Sequence, residues 1–267
     1  MSIANEIQRL QTAKTDIKTA IESKGVTVGD GTIDTYAEKI NEISVGGSGD
    51  YEQGYEDGKN DEYNAFWDSI YALNNTHALF CGKAWNDETF KPPKDIVLTT
   101  DIRWMFYRNG VKNLKACLDD RGIKLDFTNI KHTADFLWES DIEYIGEFDL
   151  STCINTITIN GSGLFSRCTK LVTIEKLKWN DNITIKEQFA NNATKLQNVT
   201  LEGTFKESIS FITNSALSDA SIQNIINCLA DLTGGTAQTL TLHANAGAKL
   251  TDEQKATITA KNWTLVY

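Results

Sequence analysis

The sequence predicts an α/β chain in which a short, coiled-coil-like N-terminal helical stalk precedes a domain of stacked repeats with a mixed helix and strand C-terminal cap. Three observations predict this fold. Ile and Leu recur at heptad spacing over the first 21 residues, a loose repeat of 25–31 residues begins near residue 105, and helix and strand patterns alternate from Ser218 onward. A repeat of this length is typical of leucine-rich repeats, whose units bury their apolar faces only by stacking on one another. We therefore predict an irregular leucine-rich-repeat-type solenoid.

The stalk is predicted from an apolar seam on the first helix. Isoleucine at both heptad core positions favours trimers or tetramers over dimers, and a polar residue in such a seam fixes the register at some cost in stability. A helix that packs one face on its own chain has nearly the same period over ~20 residues. Self-association as a homotrimer and packing within the chain therefore both stay open. The predicted oligomerisation residues alternate at spacings of 4 and 3 and are Ile3, Ile7, Leu10, Lys14, Ile17 and Ile21.

Glycine-rich segments and helical patterns divide the chain into four predicted segments. Gly25 ends the first helix, Thr32 is a candidate cap for a second helix, and the sequence GGSG at 46–49 forms a flexible linker. The next segment contains an aromatic helical face that we expect to cover the open end of the repeats: Tyr63, Phe66, Trp67 and Ile70. The predicted segments are a helical oligomerisation and attachment segment (1–45), the linker (46–50), an aromatic helical N-terminal cap region (51–104), and the repeat domain with its C-terminal cap (105–267).

The repeat is predicted from four segments that align with one another. They are MFYRNGVKNL (105–114), FLWESDIEYI (136–145), LFSRCTKLVTI (164–174) and QFANNATKLQNVTL (188–201). Each has a phenylalanine at or near its start, then a polar turn, then two apolar residues three positions apart. An ordinary β-rich domain with coincidental phenylalanine spacing is the alternative. The phenylalanines are Phe106, Phe136, Phe165 and Phe189, and the apolar pairs are Val111/Leu114, Ile142/Ile145, Leu171/Ile174 and Leu196/Val199.

The C-terminal cap is predicted from two helix and strand pairs. Ser218 caps a helix that TGG at 233–235 ends, and its apolar face consists of Ile222, Ile225, Ile226, Leu229 and Leu232. QTLTLH (238–243) and NWTLVY (262–267) are strand patterns. Between them, Thr251 and Gln254 form a capping box for a helix over about 252–260. This alternation implies right-handed crossovers and parallel strands.

Composition and charge exclude several classes of function. The net charge of −10 and the pI of about 4.9 give an acidic surface that repels phosphate backbones, so we expect no nucleic-acid partner. We also expect no signal peptide, because the N-terminus lacks a basic start followed by an apolar stretch. We expect no membrane insertion, because no apolar run approaches ~18 residues. The five cysteines are odd in number and widely spaced, which predicts free, mostly core thiols in a reducing compartment. They are Cys81, Cys117, Cys153, Cys168 and Cys228.

No catalytic, metal or cofactor site is predicted. His77, His132 and His243 are scattered, and the chain contains no phosphate-binding loop, dinucleotide-binding fingerprint or nucleophile elbow. Paired carboxylates such as Asp119/Asp120 and Glu139/Asp141 are compatible with a glycosidase, although a solvated acidic surface is the preferred interpretation.

Aromatic side chains are the best candidates for binding, because rings exposed on a solenoid face suit saccharide or protein ligands. We expect most of them in the core and one or two exposed, and the sequence leaves the ligand-contacting residues unknown. The candidates are Trp85, Trp104, Tyr107, Trp138 and Trp179.

Several segments resemble proteins of one functional group. EYNAFWDSI, FCGKAWNDETFKP, MFYRNG and LDFTN, together with the ending LADLTGGTAQTLTLHANAGAKLTDEQKATITAKNWTL, resemble a module of tail and baseplate proteins of bacteriophages of gut bacteria. FSRCTKLVTI (165–174) is similar to the BspA-like leucine-rich repeats of bacterial surface proteins. The opening segment over 5–43 is similar to the N-terminal helical segment of many phage baseplate and tail-fibre chains. Ala193 departs from the pattern, since a cysteine is common at that position.

The resemblance implies a virion component that is assembled in the host cytoplasm. Its N-terminus would bind other tail or baseplate proteins and oligomerise the chain, and its repeats would face a host polysaccharide or surface protein. The resemblance supplies no catalytic residue. Two alternatives stay open: a non-virion, adhesin-like or scaffold leucine-rich-repeat protein, and a carbohydrate-active enzyme.

Overall fold

A computed structural model describes residues 3–42, 61–72, 76–160 and 163–267. The described chain is a mixed α/β protein with an N-terminal helix and several small sheets, and every described strand pair is parallel. It divides into two compact units, residues 1–65 and residues 66–267. No described helix is both long and apolar enough to cross a membrane. The predicted linker at 46–50 lies outside the described residues, and the four predicted segment boundaries stay a prediction.

The first unit contains a long helix, α1 (Ile3–Glu22), and a shorter helix, α2 (Tyr36–Asn41). A left-handed Gly25 follows the turn after α1, as predicted. Thr32 does not cap an α-helix: it precedes a 3-10 turn, makes no capping bond through its side chain, and its carbonyl accepts from the Thr35 hydroxyl at 2.7 Å. The hydrophobic cluster of this unit is small and consists of Ile21, Val28 and Tyr36, with Val26 packed beside it.

The described chain continues with helix α3 (residues 61–71), whose aromatic face was predicted to cover the repeats. Trp67 is buried, with ring centroids 6.0 Å from those of Phe80 and Trp85. Ile70 packs against the same core, whereas Phe66 is 43% exposed. Part of the predicted face therefore covers the core, and the part nearer its N-terminal end stays exposed to solvent.

The remaining described elements are short. The helices are α4 (Leu114–Cys117), α5 (Asp219–Asn227), α6 (Ala244–Gly247) and α7 (Asp252–Ala260). The strands are β1 (Ile96–Val97), β2 (Leu125–Asp126), β3 (Tyr144–Leu150), β4 (Ile157–Ile159), β5 (Thr173–Trp179), β6 (Ile183–Ile185), β7 (Glu187–Gln188), β8 (Asn198–Glu202), β9 (Ile209–Phe211), β10 (Gln238–Leu242) and β11 (Trp263–Val266). Their sheets have the orders β1-β2, β3-β5-β8, β4-β6 and β11-β10-β9-β7.

The aligned apolar pairs occupy equivalent places in the three-stranded sheet. Ile145 of β3 lies opposite Ile174 of β5, which lies opposite Val199 of β8. A bridge between Asn113 and Tyr144 continues the same register toward the N-terminus. Three of the four aligned segments thus place their second apolar residue in one register across β3, β5 and β8.

The aligned phenylalanines form a buried column. The ring centroids of Phe106 and Phe136 are 5.4 Å apart, and those of Phe165 and Phe189 are 5.8 Å apart. Phe148 lies between the two pairs. The column continues to Phe80 and Phe211, whose centroids lie 5.4 Å from that of Phe106 and 5.0 Å from that of Phe189, respectively. Phe80 and Phe211 lie outside the four aligned segments.

In three of the turns a polar side chain donates to a backbone carbonyl of a neighbouring turn. The Asn109 amide donates to the Phe80 carbonyl at 2.6 Å, and the Cys168 thiol donates to the Leu137 carbonyl at 3.0 Å. This explains a cysteine at this repeat position, since a buried carbonyl needs a partner. The side chain of Ala193 has no donor. The carbonyl of Ala193 accepts instead from the side-chain amide of Asn214, in the following turn, at 3.0 Å.

The cysteines follow their prediction with one exception. All five are free thiols, and four are buried in the described structure, whereas Cys81 is exposed. Burial raises the pKa of Cys117 to about 11 and that of Cys168 to about 12. These two thiols are therefore protonated at neutral pH, as expected for small core residues.

The C-terminal cap has its predicted helices and parallel strands, with one correction. Ser218 caps α5, and the Thr251–Gln254 capping box is formed at α7. Helix α5 ends at Asn227 and does not extend to 233–235. The reason is a bridge between Leu229 and Phe205, which pairs the backbone beyond the helix with the preceding segment.

Candidate ligand-binding surface

Four successive turns have a residue in the left-handed backbone region shortly after their aligned phenylalanine. The φ angles are 51° at Arg108, 54° at Glu139, 57° at Arg167 and 63° at Asn192. Glycine adopts this region without steric cost, as Gly82 does in the preceding turn. A residue with a side chain costs about 1 kcal/mol or more there. Three of these positions nevertheless carry charged side chains.

Backbone hydrogen bonds hold the turns against one another. The Arg108 N–H donates to the Trp138 carbonyl at 3.0 Å, and the Arg167 N–H donates to the Asn191 carbonyl at 2.6 Å. Such pairing gives neighbouring turns a strand-like separation of about 4.8 Å. Outward side chains at equivalent positions therefore lie side by side.

Alternating charges at these positions form an ion-pair ladder. Glu139 accepts from Arg108 Nε at 2.9 Å and from Arg167 Nη1 at 3.1 Å. The hydrogen bond from Arg108 is the main cause that lowers the pKa of Glu139. Partial burial works against it, and the bond from Arg167 adds to it. Glu139 is therefore ionised at neutral pH.

A second carboxylate, two residues away, is shared in the same way. Asp141 pairs with Lys83 and with Lys170, the latter at 2.8 Å. Burial by itself raises the pKa of Asp141, but the hydrogen bonds from Lys170 and Lys83 outweigh it, so the pKa lies below its ordinary value. A general acid must hold a proton at the pH at which it works. With their lowered pKa values, neither Glu139 nor Asp141 holds one at neutral pH.

Aromatic rings line the same edge of the turns. The ring centroids of Trp104 and Tyr107 are 6.2 Å apart, and those of Tyr107 and Trp138 are 5.5 Å apart. The Arg108 guanidinium lies over the Tyr107 ring at 4.9 Å, and that of Arg167 lies over Trp138 at 5.4 Å. Cations over ring faces add attraction to the stacking. We call these five residues the aromatic–arginine ridge.

Trp104 is the most exposed ring of the ridge and has a strained backbone. It is 44% exposed, and its φ of 58° is an outlier for a bulky residue. The indole N–H donates to Asp135 at 3.1 Å, and the His77 ring lies 5.6 Å away on another side. The surrounding contacts thus fix an exposed indole in one orientation.

A polar pocket adjoins the ridge and shares one residue, Arg167, with it. The pocket has a volume of about 470 Å³. Its lining is made of charged, hydroxyl and amide side chains: Glu139, Ser140, Asp141, Arg167, Thr169, Asn192 and Thr194. Such groups both donate and accept hydrogen bonds, so the pocket suits a hydrophilic ligand.

The five aromatic candidates match the expected number of exposed rings, but fewer of them lie in the core than expected. Trp104 is exposed, Tyr107 and Trp138 are half-buried in the ridge, Trp85 packs against the core, and Trp179 is buried. The sequence analysis missed Arg108 and Arg167. The signal was present, since a charge of alternating sign follows the phenylalanine in three successive turns.

The predicted oligomerisation residues lie on α1 as a seam that the described chain leaves largely exposed. Ile3 is 81% exposed and Leu10 54%, whereas Ile21 is buried against Val28 and Tyr36. Lys14 is half-buried. The alternative of packing within the chain therefore applies to Ile21, and the trimer stays a prediction.

A separate groove, of about 500 Å³, lies along β1 and β2 and is lined by several acidic side chains. Its carboxylates have structural tasks: Asp95 accepts from the Lys124 N–H at 2.7 Å, and Asp119 accepts from the Glu147 N–H at 2.7 Å. Burial raises the pKa of Asp119, and the bond from the Glu147 N–H works against that rise. The described residues contain no group of three or more side chains placed to hold a metal ion.

Comparison with known proteins gives no family assignment. No model of a protein family, no curated protein and no solved structure is significantly similar to this chain. A functional proposal therefore rests on the surfaces described above and on the resemblance of its segments.

Proposed function

We propose that the chain is a non-catalytic, host-surface-binding component of a phage tail or baseplate, of the receptor-binding or accessory-fibre type. The observation that supports binding most directly is the aromatic–arginine ridge. Trp, Tyr and Arg supply most of the energy in binding interfaces. Stacking and ion pairs already hold these side chains in place, so binding would cost little further conformational entropy.

In this proposal, residues 105–267 form a leucine-rich-repeat-type solenoid with its C-terminal cap. The register of β3, β5 and β8, the phenylalanine column and the stacked turns support this interpretation. A solenoid repeats the same side-chain position along one edge and so presents an extended surface. Such a surface suits a polysaccharide or a surface protein of the host cell.

The role in a virion is supported by the resemblance and by the exposed seam of α1. The N-terminal helix would join three copies and bind other tail or baseplate proteins, and assembly would take place in the host cytoplasm. Weak binding at each ridge would then be strengthened by multivalency, which can raise affinity by about 10²–10⁴.

Two other functions remain as alternatives. An adhesin-like or scaffold protein outside the virion would use the same ridge, and a coding sequence surrounded by tail genes would exclude it. A glycosidase would need one protonated carboxyl group near neutral pH. The lowered pKa values of Glu139 and Asp141 argue against that pair in this role.

Cell binding tests the proposal. The labelled full-length chain is added to a panel of gut bacterial strains, and the bound fraction is measured by flow cytometry. The variant Trp104→Gly removes the exposed indole and tolerates the left-handed backbone, and it should lose most of the binding. Tyr267→Ala removes another exposed aromatic side chain, outside the ridge, and should bind as the natural chain does. Equal binding by all three chains would contradict a role for the ridge.

A further inference from the structure

Cations form the outer layer of the charged groups beside the ridge, and carboxylates form the inner layer. The side chains of Glu139 and Asp141 are 28% and 24% exposed. Each pairs with two cations, and all four cations are more exposed than the carboxylates, at 48% to 60%: Lys83, Arg108, Arg167 and Lys170. We call these six residues the cation cluster. A ligand that approaches the cluster therefore meets ammonium and guanidinium groups first.

The cluster has an excess of positive charge on an acidic chain. Four cations and two carboxylates leave it with a formal charge of +2, whereas the whole chain carries −10. Two carboxylates outside the cluster act on its surroundings, since Asp135 accepts from the Trp104 indole and Glu143 attracts Lys170 electrostatically. Exposed charges farther away than about 8 Å are largely screened at physiological ionic strength. A group bound at the cluster is therefore attracted mainly by the cations next to it.

The two guanidinium groups keep donors for a ligand. A guanidinium has five N–H donors. Among the described residues, the side chain of Arg108 donates one hydrogen bond to Glu139, and that of Arg167 donates one as well. The rings of Tyr107 and Trp138 hold these two groups in place. A guanidinium that is held in this way can bind carboxylate or phosphate oxygens with two parallel hydrogen bonds.

The cations extend along the stack of turns. Lys83 and Arg108 come from turns that precede the turn of Glu139, and Arg167 and Lys170 come from the turn that follows it. Two turn spacings separate the backbone of Arg108 from that of Arg167, which is roughly 10 Å. A polymer with repeated acid groups could thus contact cations on both sides of Glu139.

The surroundings of the cluster favour a polysaccharide over a protein as the carrier of the acid groups. A protein interface has an apolar centre that becomes fully buried. Here Trp104 is the most exposed ring, and the adjoining pocket is lined by hydroxyl and amide side chains, including those of Thr169, Asn192 and Thr194. The indole offers an apolar face to one sugar ring, and the polar side chains offer partners for sugar hydroxyls.

We infer that the cation cluster and Trp104 together bind an acidic polysaccharide. Its carboxylate or phosphate groups pair with Arg108, Arg167 and Lys170, and one of its sugar rings packs on Trp104. This inference rests on the proposed function and narrows its ligand from any surface polymer to an acidic glycan.

The test compares one glycan with and without its charge. Oligogalacturonates of graded length, and the same oligomers with methyl-esterified carboxyl groups, are titrated into the full-length chain by calorimetry. The acid form should bind about tenfold more tightly than the ester or better, and its affinity should rise with length. Salt above physiological strength should weaken the acid form, because it screens the cations. A glycerol phosphate oligomer of equal charge shows whether phosphate or carboxylate is the preferred acid group.

Variants test the cations and the ring separately. Arg108→Gly tolerates the left-handed backbone and removes one guanidinium, and Lys170→Gln removes one ammonium group. Each should weaken the acid form several-fold and leave the ester unchanged. Trp104→Gly should weaken both forms, since both carry the sugar ring. Lys255→Gln removes an exposed cation of α7, outside the cluster, and should change neither.

Several outcomes would overturn the inference. Equal affinity for the acid and the ester would mean that the cations contribute nothing to binding. Tighter binding of a single-stranded oligonucleotide of equal charge would assign the cluster to nucleic acid instead. Binding to cells without binding to any acidic oligomer would reject the acidic glycan and keep the proposed function. Absence of both cell binding and oligomer binding would reject the proposed function as well.

Discussion

The two units of the chain use regularly spaced apolar residues in opposite ways. In residues 66–267 the repeated phenylalanines and aliphatic pairs are buried, and the exposed edge consists of aromatic rings held by ion pairs. In residues 1–65 the repeated isoleucine and leucine positions of α1 are mostly exposed. Among the described residues, regularly spaced apolar side chains are thus covered in the second unit and left mostly exposed on α1 of the first.

The difference has an energetic consequence for α1. An isolated helix of this length is marginal in water, and most helical stability in proteins comes from packing an apolar face. Of the described residues of α1, Ile21 is the one that is buried. We propose that further copies of the chain cover the remainder of its seam, because isoleucine at both heptad core positions favours trimers or tetramers.

Breaking the seam should have the largest effect. The double substitution Ile7→Asp and Leu10→Asp should convert a trimer into a monomer and lower the helical content, because charges cannot be buried in the seam. Light scattering and circular dichroism measure both changes. Gln8→Asp adds a charge off the seam and should leave the trimer intact. A natural chain that is already monomeric would reject the seam as an oligomerisation surface.

Breaking the phenylalanine column should unfold the second unit instead. Phe136→Ala removes a fully buried ring and should cost about 3–5 kcal/mol of the free energy of unfolding. Denaturant titration followed by tryptophan fluorescence measures the loss, since several tryptophans lie in this unit. Ile154→Ala, at an exposed position, should cost little. A small loss at Phe136 would mean that the column does not carry the packing.

Acid should weaken the ion pairs of the second unit before it affects its core. The hydrogen bond from Arg103 is the main cause that lowers the pKa of Asp101, and that from Arg108 lowers the pKa of Glu139. A lowered pKa in the folded state contributes stability above the ordinary values of 3.8 and 4.5, and this contribution is lost as the pH falls below them.

Thermal melts from pH 7 to pH 3 measure this loss. Glu139→Gln should lower the melting temperature slightly at pH 7, and its difference from the natural chain should shrink toward pH 3. The pairs are at the surface, where solvent screens them, so the contribution of each to stability is small. A difference that is constant with pH would show that the ionisation of Glu139 contributes nothing to stability.

Relieving the left-handed turn should have the smallest effect on stability. Arg167→Gly removes an ion pair and also the steric cost of a side chain at φ 57°, so the two changes nearly cancel. Arg167→Ala keeps the steric cost and should be less stable than the glycine variant by about 1 kcal/mol. Chemical denaturation compares the two. Equal stability would mean that the turn is not strained by its side chain.

The sequence predicted the parts of the structure that depend on local pattern. The phenylalanine and aliphatic spacings predicted the aligned positions, because stacked parallel strands impose one register on every unit. The capping residues Ser218 and Thr251 predicted the starts of α5 and α7. Phe80 and Phe211 were missed because the residues around them do not repeat the full unit.

Tertiary structure decided which aromatic rings are buried and which charged side chains lie next to one another. Burial of Trp179 and exposure of Trp104 do not follow from residue type, since each depends on which turn covers the ring. Glu139 is 31 residues from Arg108 and 28 from Arg167 in sequence, and the three become neighbours only when the turns stack. The sequence by itself thus determined the spacing of the aligned positions. The folded backbone determined the proposed binding surface, because side chains from different turns meet only across the spacing that it sets.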